Sequence, residues 1–169
     1  SVTVVTFSDK PINDGFGATV ISVPLNMSLF KRWVVYTVKL IREAKHADSM
    51  YVLGTVLAGL PSFLVSKYVR LPYVLRIPGD YIWEYIRRQQ QHVTMEDVYT
   101  SWHGLHVSIF KKIQRHVVNQ AAHVFTTSKM QASLTQHWNI SQNVHVIYTP
   151  VMKKTCLLYT SPSPRDTAI

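Results

Sequence analysis

The chain has 169 residues, 47% hydrophobic and 16% charged, with 18 Lys and Arg against 9 Asp and Glu for a net charge of +9. This is ordinary globular composition, enough for one domain with a sizeable core, and it excludes an intrinsically disordered chain. No apolar run reaches the roughly eighteen residues a membrane span needs, since residues 30–44 are interrupted by Lys31, Arg32, Lys39, Arg42 and Glu43, and the start carries no signal-peptide pattern.

Strand-like and helix-like runs alternate along the chain, which predicts a parallel sheet with helices on both faces. Val2 to Phe7 reads as a strand and Thr19 to Val23 as another, with the Pro-, Asn- and Gly-containing stretch from Asp9 to Gly17 as the loop between them. Asn26 or Ser28 caps a helix whose stripe Phe30, Trp33, Val34, Thr37, Leu40, Ile41 and Ala44 is expected to cover the sheet. Met50 to Leu53 is the next strand. It ends at Gly54-Thr55, from which a helix runs to about Arg70, with Pro61 near its first turns where it costs least. Tyr73 to Ile77 is a strand feeding the corner Pro78-Gly79-Asp80, and Tyr81 to Gln91 is a short helix or loop at the cleft mouth.

Thr94 with Asp97 makes a capping box, after which helical spacing continues at Val98, Trp102, Leu105, Ile109, Ile113 and Val117. His123 to Thr126 is a strand, Ser128 caps a helix from Lys129 to His137, and Val144 to Ile147 is the last strand. No internal repeat stands out.

The excess of positive charge implies an anionic partner. Its carriers fall in groups, Lys31/Arg32, Lys39/Arg42/Lys45, Arg87/Arg88 and Lys111/Lys112/Arg115, mostly within amphipathic stretches. Two readings follow: a surface that leans on an anionic membrane, or plainly solvated helix faces. No RNA-binding aromatic motif, zinc finger or basic arm is present, so nucleic acid is not the expected partner.

In an open parallel sheet the ligand crevice lies beyond the carboxyl ends of the strands. Position alone therefore selects Gly54, Thr55, Gly79, Asp80, Thr127, Ser128 and Thr149. Asp80 is expected to face the cleft, where it holds an acceptor hydroxyl or orients a cation such as Arg76, Arg87 or Arg88; a turn aspartate after Pro-Gly is the alternative. Trp83 either stacks on a sugar ring or belongs to the core, and Glu84 can hydrogen-bond hydroxyls. Ser128 either meets a ligand at a helix N-terminus or serves as a plain cap. His103 and His106 lie three apart but have no third ligand nearby, so no metal site is expected. Neither a G-x-S-x-G elbow, a P-loop nor a complete G-x-G-x-x-G occurs, which disfavours hydrolases, P-loop enzymes and dinucleotide oxidoreductases.

The run VLRIPGDYIWE from Val74 to Glu84, taken with TVLAGLPSFLVSKY before it and HVFTTSKMQASLTQHW and VHVIYTPV after it, resembles the N-terminal domain of the family 4 GT-B glycosyltransferases. These are retaining, nucleotide-sugar-dependent enzymes that build polysaccharides, lipopolysaccharides and glycolipids. The resemblance implies a Rossmann-like acceptor-side domain over residues 1–151, incomplete at its start, that holds a saccharide or lipid-linked acceptor. The donor binds mainly in a second domain, so this piece alone is expected to be inactive. It implies the nucleotide sugar as co-substrate with no metal and no further cofactor, and it favours functional roles for Gly79, Asp80, Trp83 and Glu84. Many members place a histidine at or beside Pro78, and this chain has none there.

Residues 152–169 break from this pattern. Cys156 to Asp166, CLLYTSPSPRD, resembles a translated sequencing adaptor, the alternative being a disordered tail rich in Ser and Pro. Without it the chain has no cysteine, which fits a reducing cytosol, with peripheral contact on the inner face of the plasma membrane as an extension. A non-catalytic α/β module binding an anionic ligand is the competing functional reading.

Overall fold

A computed structural model describes residues 1–9, 17–89, 94, 98 and 104–150. Its strands are β1 (Thr3–Phe7), β2 (Thr19–Val23), β3 (Met50–Leu53), β4 (Tyr73–Ile77), β5 (His123–Thr126) and β6 (Val144–Val146). Among the described residues the helices are α1 (Leu29–Ala44), α2 (Gly59–Val69), α3 (Tyr81–Gln89), α4 (Leu105–Asn119) and α5 (Lys129–Gln136). The chain is α/β and Rossmann-like, with every strand pair parallel. The parallel strands form two sheets, β1-β2 and β3-β4-β5-β6.

The order β3-β4-β5-β6 follows the chain, so each strand is laid beside its predecessor after a helical crossover. The pleat then sorts side chains. Met50, Val52, Tyr73, Leu75, Ile77 and Val124 share one face and are buried against Val65 of α2 and Val117 and Val118 of α4. Leu40, Ile41 and Ala44 of α1 close the same core, and α1 also packs on β1 and β2, where Tyr36 stacks on Phe7 at 4.8 Å. The opposite face of the four-stranded sheet carries Tyr51 and Leu53, which are 60% and 56% exposed.

The helix stripes differ from the periodicity reading. In α1 the buried residues are Tyr36 and Ala44, while Phe30 and Val34 are exposed. In α4 they are Val107, Gln114, Val117 and Val118, while Leu105 and Ile109 face out. Each helix holds more apolar residues than one inward stripe can take, and packing against α2 selects which of them go inside. The α1 N-cap is Ser28, whose carbonyl accepts from Arg32 N–H at 2.9 Å. The segment from Tyr81 is a helix, and α2 begins four residues later than expected, at Gly59, with Arg70 closing it in the left-handed region at φ 59°. The Asp97 and Trp102 positions, most of the 9–17 loop and residues 151–169 lie outside the described residues.

Candidate functional site

Because β3 to β6 are adjacent and in register, with Leu53 beside Arg76, Arg76 beside Phe125 and Phe125 beside His145, the residues that follow each strand emerge along one edge. Gly54 continues the ladder by donating its N–H to Arg76 O at 2.9 Å, then turns at φ +88°, a conformation that favours glycine. Thr55 is buried, and its hydroxyl donates to Gln114 Oε1 of α4 at 3.3 Å. It ties the start of the crossover to α4 beneath the edge. Gly59 packs so closely that an added Cβ would lie 2.8 Å from Gly54 O.

At the next corner Asp80 is buried, 1% exposed. Its Oδ1 accepts from the backbone N–H of Ile82 at 2.9 Å and of Trp83 at 3.2 Å, the N-cap geometry for α3. The physical reason is that helix α3 starts immediately after Asp80, and its free first-turn N–H groups claim the nearest carboxylate. Among the described residues Lys111 of α4 is a cation that senses this carboxylate, while Arg76 donates to Thr149 and Arg87 lies over Trp83. Burial pulls the Lys111 ammonium below its ordinary range and Asp80 partly offsets that pull. Lys111 also donates to Val98 O at 2.9 Å.

By capping α3, Asp80 sets the direction of the residues that do reach solvent. Trp83, Glu84, Arg87 and Arg88 surround an open hollow of about 330 Å³. The Arg87 guanidinium lies over the Trp83 ring at 4.7 Å, and Glu84 folds back until its Oε1 would be 2.7 Å from a Cβ on Gly79. The inner side of α3 is held by Ile82 and Ile86, buried against Val98 and Val107, and by Tyr81 and Tyr85, each edge-on to Phe110 at 5.5 Å. Burial raises the Tyr81 hydroxyl above its ordinary pKa. The hollow thus offers an aromatic face, a carboxylate and two guanidiniums on a well-anchored helix.

No family model matches this chain. No curated protein matches it either.

The remaining expected site residues divide in two. Ser128 is a helix cap: its Oγ accepts from Gln131 N–H at 3.1 Å and its carbonyl accepts from Ala132 N–H. Thr127 is half-buried beside it. Thr149 is exposed, and its Oγ1 accepts from Arg76 Nη2 at 2.8 Å, which fastens the segment after β6 across to β4. Gly54, Gly79, Ser128 and Thr149 therefore line the edge, while Thr55 and Asp80 support it from below. Periodicity missed Lys111 and Gln114. Both lie on the inward stripe of α4 with Val107 and Val118, and a Lys and a Gln at the spacing of core residues was the signal. His106 is exposed on α4, and His103 lies outside the described residues.

Proposed function

We propose that this chain is the acceptor-side domain of a retaining, nucleotide-sugar-dependent GT-B glycosyltransferase, acting on a saccharide or lipid-linked acceptor. The observation that carries the reading is the open hollow lined by Trp83, Glu84, Arg87 and Arg88 on the helix that Asp80 caps. A sugar presents an apolar face that suits an indole and hydroxyls that suit a carboxylate, and the two guanidiniums suit a phosphate on the acceptor. In this reading Gly54, Gly79, Ser128 and Thr149 form the backbone-rich floor and rim of the crevice. Asp80 works by positioning Trp83 and Glu84. The donor binds in a second domain, so the chain binds acceptor without turnover.

Saturation-transfer NMR on the chain with neutral oligosaccharides, sugar phosphates and nucleotide sugars tests this. Sugar phosphates should bind best, and Trp83→Ala or Glu84→Gln should each weaken binding by about tenfold. Failure of every saccharide to bind overturns the acceptor assignment. The Arg87/Arg88 pair at the hollow supports a second reading, a non-catalytic module for anionic ligands. Inorganic phosphate binding as tightly as any sugar phosphate, with Trp83→Ala silent, would favour that module.

A further inference from the structure

We propose that a cavity between α4 and the end of α5 binds a small phosphomonoester, at a site separate from the crevice and independent of the glycosyltransferase reading of it. The cavity encloses about 160 Å³ and lies between the two helices that flank β5 in the chain. Helix α4 contributes Lys111, Lys112 and Arg115 to its walls, and the turn that closes α5 contributes His137, Trp138 and Asn139. Helix α5 starts at the crevice edge with its Ser128 cap and runs through eight residues, so at about 1.5 Å per residue His137 lies roughly 12 Å from that edge.

Local structure builds the α5 side of the cavity. His137 N–H donates to Leu134 O at 3.1 Å and Trp138 N–H to Thr135 O at 3.0 Å, which tightens the last turn. Asn139 then takes the left-handed region at φ 51°, which asparagine tolerates better than most side chains. Three consecutive side chains thereby line the same cavity. Trp138 fixes their place, because it belongs to the main hydrophobic core and is 5% exposed. Its indole Nε1–H is buried and has no hydrogen-bond acceptor among the described residues. Native structures rarely keep a donor away from both water and protein, which points to an acceptor from outside the chain.

The lining decides the class of that ligand. None of the lining residues is acidic, so a metal ion would meet no carboxylate there. Lys111 is already committed, its ammonium donating to Val98 O at 2.9 Å and sensing Asp80. Lys112 and Arg115 are exposed, and neither makes a hydrogen bond or ion pair among the described residues. Three positions apart on one helix face, they offer a phosphate a point charge and a bidentate fork. The indole N–H and the Asn139 amide supply donors for the oxygens of the alcohol part. Size sets the limit: the volume equals roughly five waters at about 30 Å³ each, room for a phosphate on a short alcohol and too little for a nucleotide. A nucleic-acid backbone would use Lys112 and Arg115 and leave the Trp138 donor unsatisfied.

The test is a titration of the ¹⁵N-labelled chain with glycerol 3-phosphate, inorganic phosphate and glycerol, read on the indole N–H signals. The Trp138 signal is assigned by its loss in Trp138→Phe and the Trp83 signal by its loss in Trp83→Phe. Glycerol 3-phosphate should move the Trp138 signal downfield and saturate, inorganic phosphate should bind more weakly, and glycerol should not bind. Lys112→Gln with Arg115→Gln should weaken binding by about tenfold or more, with the melting temperature unchanged because both side chains are exposed. Trp138→Phe keeps an aromatic ring and removes the donor, so it should weaken binding by about tenfold. Arg87→Gln with Arg88→Gln, at the crevice hollow, should leave the Trp138 response as it is, so failure of saccharides to bind there sinks the crevice assignment alone. A response at Trp83 and none at Trp138, a shift that grows without saturating, or full affinity in the Lys112/Arg115 variant overturns the site. Equal affinity for inorganic phosphate and glycerol 3-phosphate overturns the ester assignment.

Discussion

Replacing Asp80 by Ala and by Asn separates the geometry of the cap from its charge. Ala removes the acceptor for two backbone N–H groups, those of Ile82 and Trp83. Loss of an N-cap ordinarily costs about 0.5–2 kcal/mol. Here Asp80 is 1% exposed, so water replaces the lost acceptor poorly and the cost should sit at the top of that range or above it, at about 2–3 kcal/mol. For a chain of this length each kcal/mol corresponds to about 2–4 °C, so the melting temperature should fall by roughly 5–10 °C. Asn keeps an oxygen where Oδ1 stands and loses the attraction of the charge to Lys111 and to the α3 N-terminus, about 1 kcal/mol or 2–4 °C. Thermal melts by circular dichroism at neutral pH measure both. If Ala is neutral, the cap does not hold α3. If Asn is as damaging as Ala, the charge and not the acceptor geometry is what the corner needs.

Stability should also fall as pH rises above about 10, the ordinary tyrosine range. Burial raises the folded-state pKa of Tyr36, Tyr73 and Tyr81, so the unfolded chain loses these protons first, and stability that is whole below pH 10.0 is lost as pH climbs through the folded values. The lowered pKa of Lys111 acts in the opposite sense. Melts between pH 8 and 11 should show a shallower decline for Tyr73→Phe, and an unchanged slope would remove Tyr73 as the cause. Gly59→Ala should cost about 1–3 kcal/mol in urea denaturation, because its Cβ would meet Gly54 O at 2.8 Å and Val117 Cγ1 at 3.0 Å. A neutral outcome would mean that α2 can shift away from β3 at no cost.

The strands were legible because each is a short β-branched or aromatic run closed by turn residues. Tyr73–Ile77 stops at Pro78-Gly79 and His123–Thr126 at the Ser128 cap. The parallel order followed from the alternation with helices, and with it the edge that gathers Gly54, Gly79, Ser128 and Thr149. Helix orientation was not legible, because Phe30 and Leu105 have the same chemistry as core residues and only their neighbours decide which way they face. Asp80 was ambiguous for a different reason. A carboxylate after Pro-Gly serves a ligand, a turn or a helix cap with the same local sequence, and choosing among them requires knowing that α3 starts one residue later. The Lys111 partnership spans 31 positions of chain and had no local signature.

The separation of the two sheets has a kinetic consequence. In β3 to β6 every ladder joins strands consecutive in the chain, so each added strand needs only one moderate loop closed before its hydrogen bonds form. Among the described residues no ladder links β1-β2 to that unit, and α1 is what packs on both. The molecule should therefore open in two steps, with the amides of Val5 and Ile21 exchanging with solvent through a local detachment of β1-β2 while those of Leu75 and Val124 wait for global unfolding.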